Sequence, residues 1–288
     1  MGCTLVIDTS YGSTVGLVGH EPIVETDSRT HVERLQINIA KALDKASMSP
    51  SDIESIVVGV GPAPFTGLRV GIVAAKAIAF ATGARLIGRN VLDPQHDMLR
   101  IAMDDADTRF DGIGFLANVP KINPQSDAAE RHVTLCVNDA RRKQLYFALD
   151  HGGADGDADG RRWIDMDIDY PERLVERVNA VVREHAEADG VRYTVDVAGH
   201  GVAKYAQAWH GLNDLGCVVD GSVLDAGAAG LALFASTALT ASTAARQASG
   251  TAAGVGAAVE PLYLRRPDAE IPAPLKHVLG HAGAERRQ

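Results

Sequence analysis

The chain has 288 residues, of which 46% are hydrophobic and 23% charged, a balance typical of a globular protein with two domains or one large one. The formal net charge of −9 argues against nucleic-acid binding by the chain alone, because phosphate contacts need clustered lysine and arginine. Cys3, Cys136 and Cys217 lie far apart without a CxxC pair, which argues against a disulfide framework or a zinc knuckle.

The N-terminal segment has neither a basic region nor a long hydrophobic core, so it does not resemble a signal peptide. The longest apolar run, Val70–Ala81, contains Lys76 and is too short to span a bilayer. We therefore expect no membrane contact and a cytoplasmic location.

The first half of the chain alternates strand and helix patterns. Leu5–Ile7 and Val15–Val18 flank a polar turn and predict a β-hairpin. His31–Ala46 has apolar residues at helical spacing, Ile56–Val60 has the pattern of a buried strand, and Gly67–Thr82 predicts a long helix.

The same pattern begins again in the second half. Val133–Val137 and Leu145–Leu149 predict another hairpin, followed by a helix over Tyr170–Glu187 and a strand over Thr194–Ala198. The Ala-rich stretch 226–249 predicts a further helix. Two hairpin-led halves indicate a duplicated α/β fold with two domains rather than one doubly wound sheet.

Polar, irregular stretches between the halves indicate the domain boundary. We expect an N-terminal domain over 1–105, a C-terminal domain over 106–267 and a flexible tail over 268–288. The sequence also allows the helix over 226–249 to pack against the first domain instead of the second. Asp8 opens the turn of the first hairpin and Asp139 that of the second.

Gly59–Gly71 joins a strand to a helix N-terminus, where free backbone N–H groups favour anions. A tight connection without a ligand is the alternative, and Pro64 supports it by removing one N–H donor.

The following helix carries small residues at every fourth position and is apolar nearly all round, so we expect it to be buried. The small stripe allows another backbone to approach closely, either in the chain's own core or across a subunit interface. If the stripe is an interface, Gly71→Arg or Ala75→Arg abolishes pairing and leaves the chain folded.

Five segments together resemble TsaB proteins, in that family's order, and the resemblance covers residues 3–267. They are Ile7–Ser10, His31–Leu35, Gly59–Gly71, Asp139–Tyr146 and Pro261–Pro267. The resemblance implies an actin/Hsp70-like (ASKHA) fold and a non-catalytic accessory subunit.

The TsaB resemblance also implies partners. TsaB binds TsaD, which transfers a threonylcarbamoyl group to adenosine 37 of tRNAs that read codons starting with A, and TsaE is the ATPase of the complex. It implies homodimers as well, and contact with tRNA only through the complex. For the isolated chain we expect no cofactor. Whether a nucleotide binds at the TsaD interface stays an open question.

The resemblance assigns the partner-binding surface to the first two helices. The residues expected there are Val32, Leu35, Ile39, Gly67, Leu68, Gly71, Ile72, Ala75, Ile78 and Ala79. Catalytic relatives bind nucleotide phosphate at the hairpin turns, which here become degenerate turns holding Asp8, Thr9, Ser10 and Asp139. We expect Asp8 to cap its own turn rather than place a metal ion.

We also expect no metal site. TsaD carries a His-x-x-x-His pair, but Leu92 and His96 occupy that spacing here, and His96 is expected at the surface or as a cap. The acidic runs Asp155–Gly160 and Asp165–Asp169 lack the residues that complete a calcium loop, so we interpret them as solvated.

Two classes of protein remain as rivals. The first is an enzyme, either an actin-like small-molecule kinase or a peptidase, although the sequence has no HExxH and no GxSxG motif. The second is a homodimeric scaffold unrelated to tRNA.

Overall fold

The first hairpin and two later strands form a mixed five-stranded sheet in the computed structural model. Its strands are β1 (Cys3–Asp8), β2 (Ser13–Leu17), β3 (Ile23–Glu25), β4 (Ile53–Gly59) and β5 (Arg85–Arg89). The spatial order is β3-β2-β1-β4-β5, with β1 antiparallel to β2 and parallel to β4. The structure describes residues 2–26, 33–123, 125–126, 128, 131–152, 161–249 and 259–265.

Helices α1 (Leu35–Lys45) and α2 (Phe65–Thr82) share one apolar cluster with this sheet. The α2 helix begins two residues earlier than predicted and ends where Gly83 takes a left-handed φ of 76°, which a residue without Cβ adopts at little cost. The predicted start of α1 at residues 31–32 lies outside the described residues.

The second sheet repeats the arrangement of the first. Its strands are β6 (His132–Asp139), β7 (Leu145–His151), β8 (Arg162–Asp169), β9 (Thr194–Gly199) and β10 (Leu215–Val219). Read from β8, the order is β8-β7-β6-β9-β10, the same as in the first sheet. Helices α4 (Pro171–Asp189) and α5 (Ala206–Trp209) cover one side. Two mixed sheets of one topology confirm the predicted duplicated, actin-like α/β fold.

Helices α3 (Asp93–Met103) and α6 (Gly227–Ser249) lie between the two sheets. The α3 helix contacts β6 and β9, whereas α6 contacts β1, β5 and α3. Their apolar cluster includes Val57 from the first sheet and Val219 from the second. The two halves are therefore joined by a shared core.

Two sequence interpretations are wrong in this region. His96 is fully buried in α3, because that helix is enclosed on both sides, and it is neither a surface residue nor a cap. The alternating run Asp165–Asp169 belongs to strand β8, where successive side chains point to opposite faces, and it is not a loop. The other acidic run, 155–160, lies outside the described residues.

Helix α2 and the first 18 residues of α6, Gly227–Ala244, are long and apolar enough to cross a membrane by length and composition. One or two such helices are weak evidence of a span. Each packs one side against the first sheet in this fold, which accounts for part of its apolar character.

Candidate functional site

The turns of the two hairpins face each other across a cleft of about 270 Å³ between the domains. The cleft is lined by Thr9, Ser10, Tyr11, Gly12, Thr26, Pro64, Gly67, Asp139 and Arg141. The fold therefore brings the predicted degenerate turns together in one place.

Asp8 lies at the base of the first turn and is buried. Its Oδ2 atom accepts a hydrogen bond from the Ser10 backbone N–H at 3.1 Å, and Oδ1 accepts one from the Ser10 hydroxyl at 2.8 Å. Burial raises the pKa of the Asp8 carboxyl, and the Ser10 hydrogen bonds partly oppose that rise. A Cβ on Gly59 would overlap Asp8 Oδ1, so only glycine fits beneath the carboxylate. Both carboxylate oxygens are thus bonded within the turn.

Asp139 occupies the corresponding place in the second turn. Its Oδ1 atom accepts from the Arg141 backbone N–H and its Oδ2 from Lys204 Nζ, both at 2.9 Å. The Asp139 hydrogen bond raises the pKa of the Lys204 ammonium. The three residues Arg141, Arg142 and Lys143 all have left-handed backbones, with φ of 63°, 50° and 63°. The turn therefore presents three consecutive basic side chains beside the cleft, all exposed.

The small-residue stripe of α2 faces the chain's own first turn. A Cβ on Gly71 would overlap the Oγ1 atom of Thr9, so the absence of a side chain there lets α2 approach the turn. Gly71→Arg is therefore expected to unfold the chain, contrary to the expectation from an interface stripe.

Six of the predicted partner-binding residues are buried in the chain's own core and cannot form a surface, because they point at the first sheet. They are Leu35, Ile39, Leu68, Gly71, Ile72 and Ala75. Gly67, Ile78 and Ala79 are half-buried, and Val32 lies outside the described residues.

Apolar residues also lie on the exposed side of α2, beside the charged Lys76, and the sequence analysis missed them when it expected this helix to be buried. Phe80 is 93% exposed and Val73 is 64% exposed, and Ala77 lies between them on the same face. We call these three residues the outer α2 face. The sequence could have indicated this face, because a helix that is apolar nearly all round keeps apolar residues on the side that the core does not cover.

A buried ionic cluster joins α3 to the second sheet. Arg162 donates from Nε to Asp150 Oδ1 at 2.8 Å and from Nη2 to Asp93 Oδ1. Burial works to raise the pKa of the Asp93 carboxyl, but Arg89 and Arg162 outweigh it and hold the pKa below its ordinary value. The guanidinium of Arg162 thus links strand β7 to the first turn of α3.

The second ion pair of this cluster is Arg161 with Asp97. Arg161 Nη1 donates to Asp97 Oδ1 at 2.6 Å, and Arg89 lies 3.9 Å from the other carboxylate oxygen. Burial nevertheless raises the pKa of the Asp97 carboxyl to about 6, with Asp93 nearby adding to the rise.

Because the folded-state pKa of Asp97 is above its ordinary value, the folded chain holds the Asp97 proton more tightly than the unfolded chain between about pH 4 and 6. The contribution of Asp97 to stability is therefore lost as pH rises through this window. The neutral side chain of Asp97→Asn does not titrate, so the variant should not lose this contribution. As pH rises from about 4 to 7, we expect the unfolding free energy of the variant minus that of the wild type to increase by up to about 2–3 kcal/mol. Urea unfolding of both chains at several pH values checks this, and a pH-independent difference would contradict it.

Residues 259–265 cross from the first domain to the second. The Leu262 backbone N–H donates to the Val60 carbonyl at 2.8 Å, and the Tyr263 hydroxyl lies 2.5 Å from Arg69 Nε. At the other end, Arg265 Nη2 donates to Gln144 Oε1 at 2.8 Å. This segment therefore touches both the start of α2 and the second hairpin turn.

Among the described residues, no three His, Cys, Asp or Glu side chains come together as a metal site. The absence of a metal at Leu92 and His96 stays a prediction.

Comparison with known sequences gives partial matches. Residues 23–104 match the sequence model of TsaD, tRNA N6-adenosine threonylcarbamoyltransferase. An uncharacterised Mycobacterium leprae protein is 34% identical over 157 residues, which are 51% of this chain and 35% of that protein. A Mycobacterium tuberculosis protein is 40% identical over 96 residues, 31% of this chain and 46% of that protein. The chain thus aligns with about a third to a half of the length of these relatives.

A shorter match reaches a named enzyme. The tRNA N6-adenosine threonylcarbamoyltransferase of Ruegeria pomeroyi is 40% identical over 70 residues, 24% of this chain and 19% of the enzyme.

Comparison with solved structures covers nearly the whole chain. YeaZ from Pseudomonas aeruginosa matches with a TM-score of 0.53 and 19% identity, over 92% of this chain and 100% of YeaZ. The chain has the YeaZ fold. A second Pseudomonas aeruginosa structure, described as similar to peptidase YeaZ, matches over the same shares with a TM-score of 0.52 and 20% identity.

The YeaZ fold agrees with the resemblance to TsaB, since YeaZ is TsaB under another name. In this YeaZ-like chain the TsaD-matching segment, residues 23–104, includes both α1 and α2. The outer α2 face therefore lies inside the part of the chain that both comparisons cover.

Proposed function

We propose that this chain is a non-catalytic accessory subunit that binds TsaD in the complex forming N6-threonylcarbamoyladenosine at position 37 of tRNAs that read codons starting with A. The outer α2 face carries the proposal. Val73, Ala77 and Phe80 form an exposed apolar patch on a YeaZ fold, within the TsaD-matching segment. Apolar side chains of this kind form the centre of stable protein interfaces.

The non-catalytic part of the proposal is supported by the state of the two turn carboxylates. Asp8 is bonded to Ser10 within its own turn, and Asp139 is paired with Lys204. These bonds use one lone pair on each carboxylate oxygen and fix the carboxylates within the chain, which leaves less capacity for a metal ion or a water molecule. Ligand chemistry at the joint with TsaD, including any bound nucleotide, would then depend on groups that TsaD supplies.

The remaining parts of the proposal follow from the TsaB resemblance. TsaE would supply ATP hydrolysis, the chain would bind no cofactor by itself, and the complex would work in the cytoplasm. Homodimers would use the same outer α2 face, so pairing with TsaD and self-pairing would compete.

The first experiment is depletion of the protein in its own host, followed by mass spectrometry of nucleosides from total tRNA. The proposal expects loss of N6-threonylcarbamoyladenosine, restored by the wild-type chain. Unchanged modification would overturn it and favour a scaffold unrelated to tRNA. Calorimetry of the isolated chain with ATP and Mg²⁺ tests the kinase alternative, because a kinase binds and hydrolyses ATP without a partner.

A further inference from the structure

Five basic residues lie in the segments next to the cleft, and one of them, Arg141, lines it, although the chain as a whole carries a net charge of −9. We call them the basic rim: Arg69, Arg141, Arg142, Lys143 and Arg265. Four are exposed, and Arg265 is half-buried. Charges farther than about 8 Å away are largely screened at physiological ionic strength, so a local rim acts largely independently of the distant acidic surface.

Hydrogen bonds of residues 263–265 connect the start of α2, at Arg69, to the second hairpin turn, at Arg141 and Gln144. Arg265 Nη2 donates to the Arg141 carbonyl at 3.3 Å and to Gln144 Oε1 at 2.8 Å. Two residues earlier, the Tyr263 hydroxyl accepts from Arg69 Nε. The acceptors of Arg69 and Arg265 are neutral, so these bonds hold the two guanidinium groups in place without cancelling their charge. By contrast, Arg192 donates to a carboxylate, that of Asp214.

Two exposed aromatic rings lie within the rim. Phe65 and Tyr263 stack with centroids 4.8 Å apart and planes 25° apart, and Arg69 lies 3.6 Å above the Phe65 centroid. Phe65 is 49% exposed and Tyr263 is 40% exposed. Phe65 directly follows Pro64, which lines the cleft, so the stacked pair lies close to the cleft edge.

We propose that the basic rim, with Phe65 and Tyr263, binds a single-stranded stretch of RNA. Positive side chains that contact the backbone, beside aromatic rings on which bases stack, are the combination by which proteins hold unpaired nucleotides. An acidic peptide would satisfy the charge but offers no flat faces for the rings. The inference rests on the proposed function, and it assigns part of the tRNA contact to this chain.

The charge of the rim is tested by fluorescence anisotropy of the full chain with a labelled, unstructured RNA oligonucleotide at a series of salt concentrations. The variant is R141N/R142N/K143N, because Asn tolerates the left-handed backbone that these three positions adopt. Each phosphate contact with a single strand contributes about −0.7 to the slope of log K against log salt. We expect the slope to shrink by about 2 and the affinity at low salt to fall at least about tenfold.

The matched control is R173Q/R183Q/R192Q, which removes the same number of positive charges from exposed positions of the second domain. It should bind RNA within about twofold of the wild type. Tyr263→Leu tests stacking, and we expect at least about a fivefold loss with an unchanged salt slope.

Equal losses in the rim and control variants would overturn the inference, because the effect would then follow net charge. Duplex RNA or polyglutamate binding as tightly as the single strand would overturn it as well, in favour of a general acidic partner. A chain that pairs with TsaD but fails these tests refutes the RNA contact alone. A chain that passes them but does not pair with TsaD refutes the proposed function instead.

Discussion

Arg162→Leu is expected to lower the free energy of unfolding by about 3–5 kcal/mol, because it leaves the buried Asp150 without its cation and Asp93 with Arg89 alone. Arg162 lies between Asp150 and Asp93, and all three side chains are at most 10% exposed. A carboxylate removed from water and left unpaired keeps its full desolvation cost. The pair also spans β7 and α3, so its loss loosens the contact between α3 and the second sheet.

Urea unfolding followed by circular dichroism measures this effect. The matched control is Arg192→Leu, whose ion pair with Asp214 lies at the surface with 81% of the Arg192 side chain exposed. It should cost much less than Arg162→Leu, since solvent screens exposed pairs. Adding Asp150→Asn to Arg162→Leu should recover part of the loss. An equal loss of unfolding free energy in the two arginine variants would show that the buried ion pair stabilises the fold no more than the exposed one.

Val73→Glu together with Phe80→Glu is expected to weaken pairing with TsaD at least about 100-fold, equivalent to about 3 kcal/mol. Burying two carboxylates at the centre of an apolar interface costs their hydration, and Lys76, the cation within one helical turn of both, is already paired with Glu260. Both side chains are mostly exposed in the free chain, so its melting temperature should change little.

Calorimetry and gel filtration with purified TsaD test the pairing. Val218→Glu is the control, because Val218 is also a partly exposed apolar residue but lies on β10 of the other domain. Gly71→Arg provides a contrast and should fail to fold. If the double variant co-elutes with TsaD as the wild type does, the outer α2 face is not the contact.

Much of the fold could be predicted because its signals are local. Both hairpins show two apolar runs around a polar turn, and Gly83 marks the end of α2 by the conformation that only glycine adopts easily. The repetition of one pattern in each half indicated the duplication. These features depend on neighbouring residues, which a sequence displays directly.

Helix α3 and strand β8 were not predicted, for a shared physical reason. The α3 helix buries Asp93, Gln95 and Asp97, so it lacks the apolar stripe that identifies a core helix. Strand β8 alternates apolar residues with aspartates, and that alternation resembled a calcium loop. Their polar side chains are compensated by partners distant in the chain, as Asp97 is by Arg161. Such compensation exists only in the folded chain.

Most of the residues predicted for the interface on α2 are buried in the chain's own core. A stripe of small residues indicates that a backbone comes close, and the backbone here is the turn at Thr9, packed against Gly71. The pattern alone does not distinguish a close approach within one chain from one between two chains. Only the burial of each side of α2 identifies the side left for a partner.

The crossing of residues 259–265 has a consequence for the order in which surfaces appear during synthesis. Val73 and Phe80 are translated early and need only the first sheet behind them. The stacked pair of Phe65 and Tyr263 is complete only after almost the entire chain has left the ribosome. Under the two proposals, the surface for the protein partner forms during synthesis well before the surface for RNA.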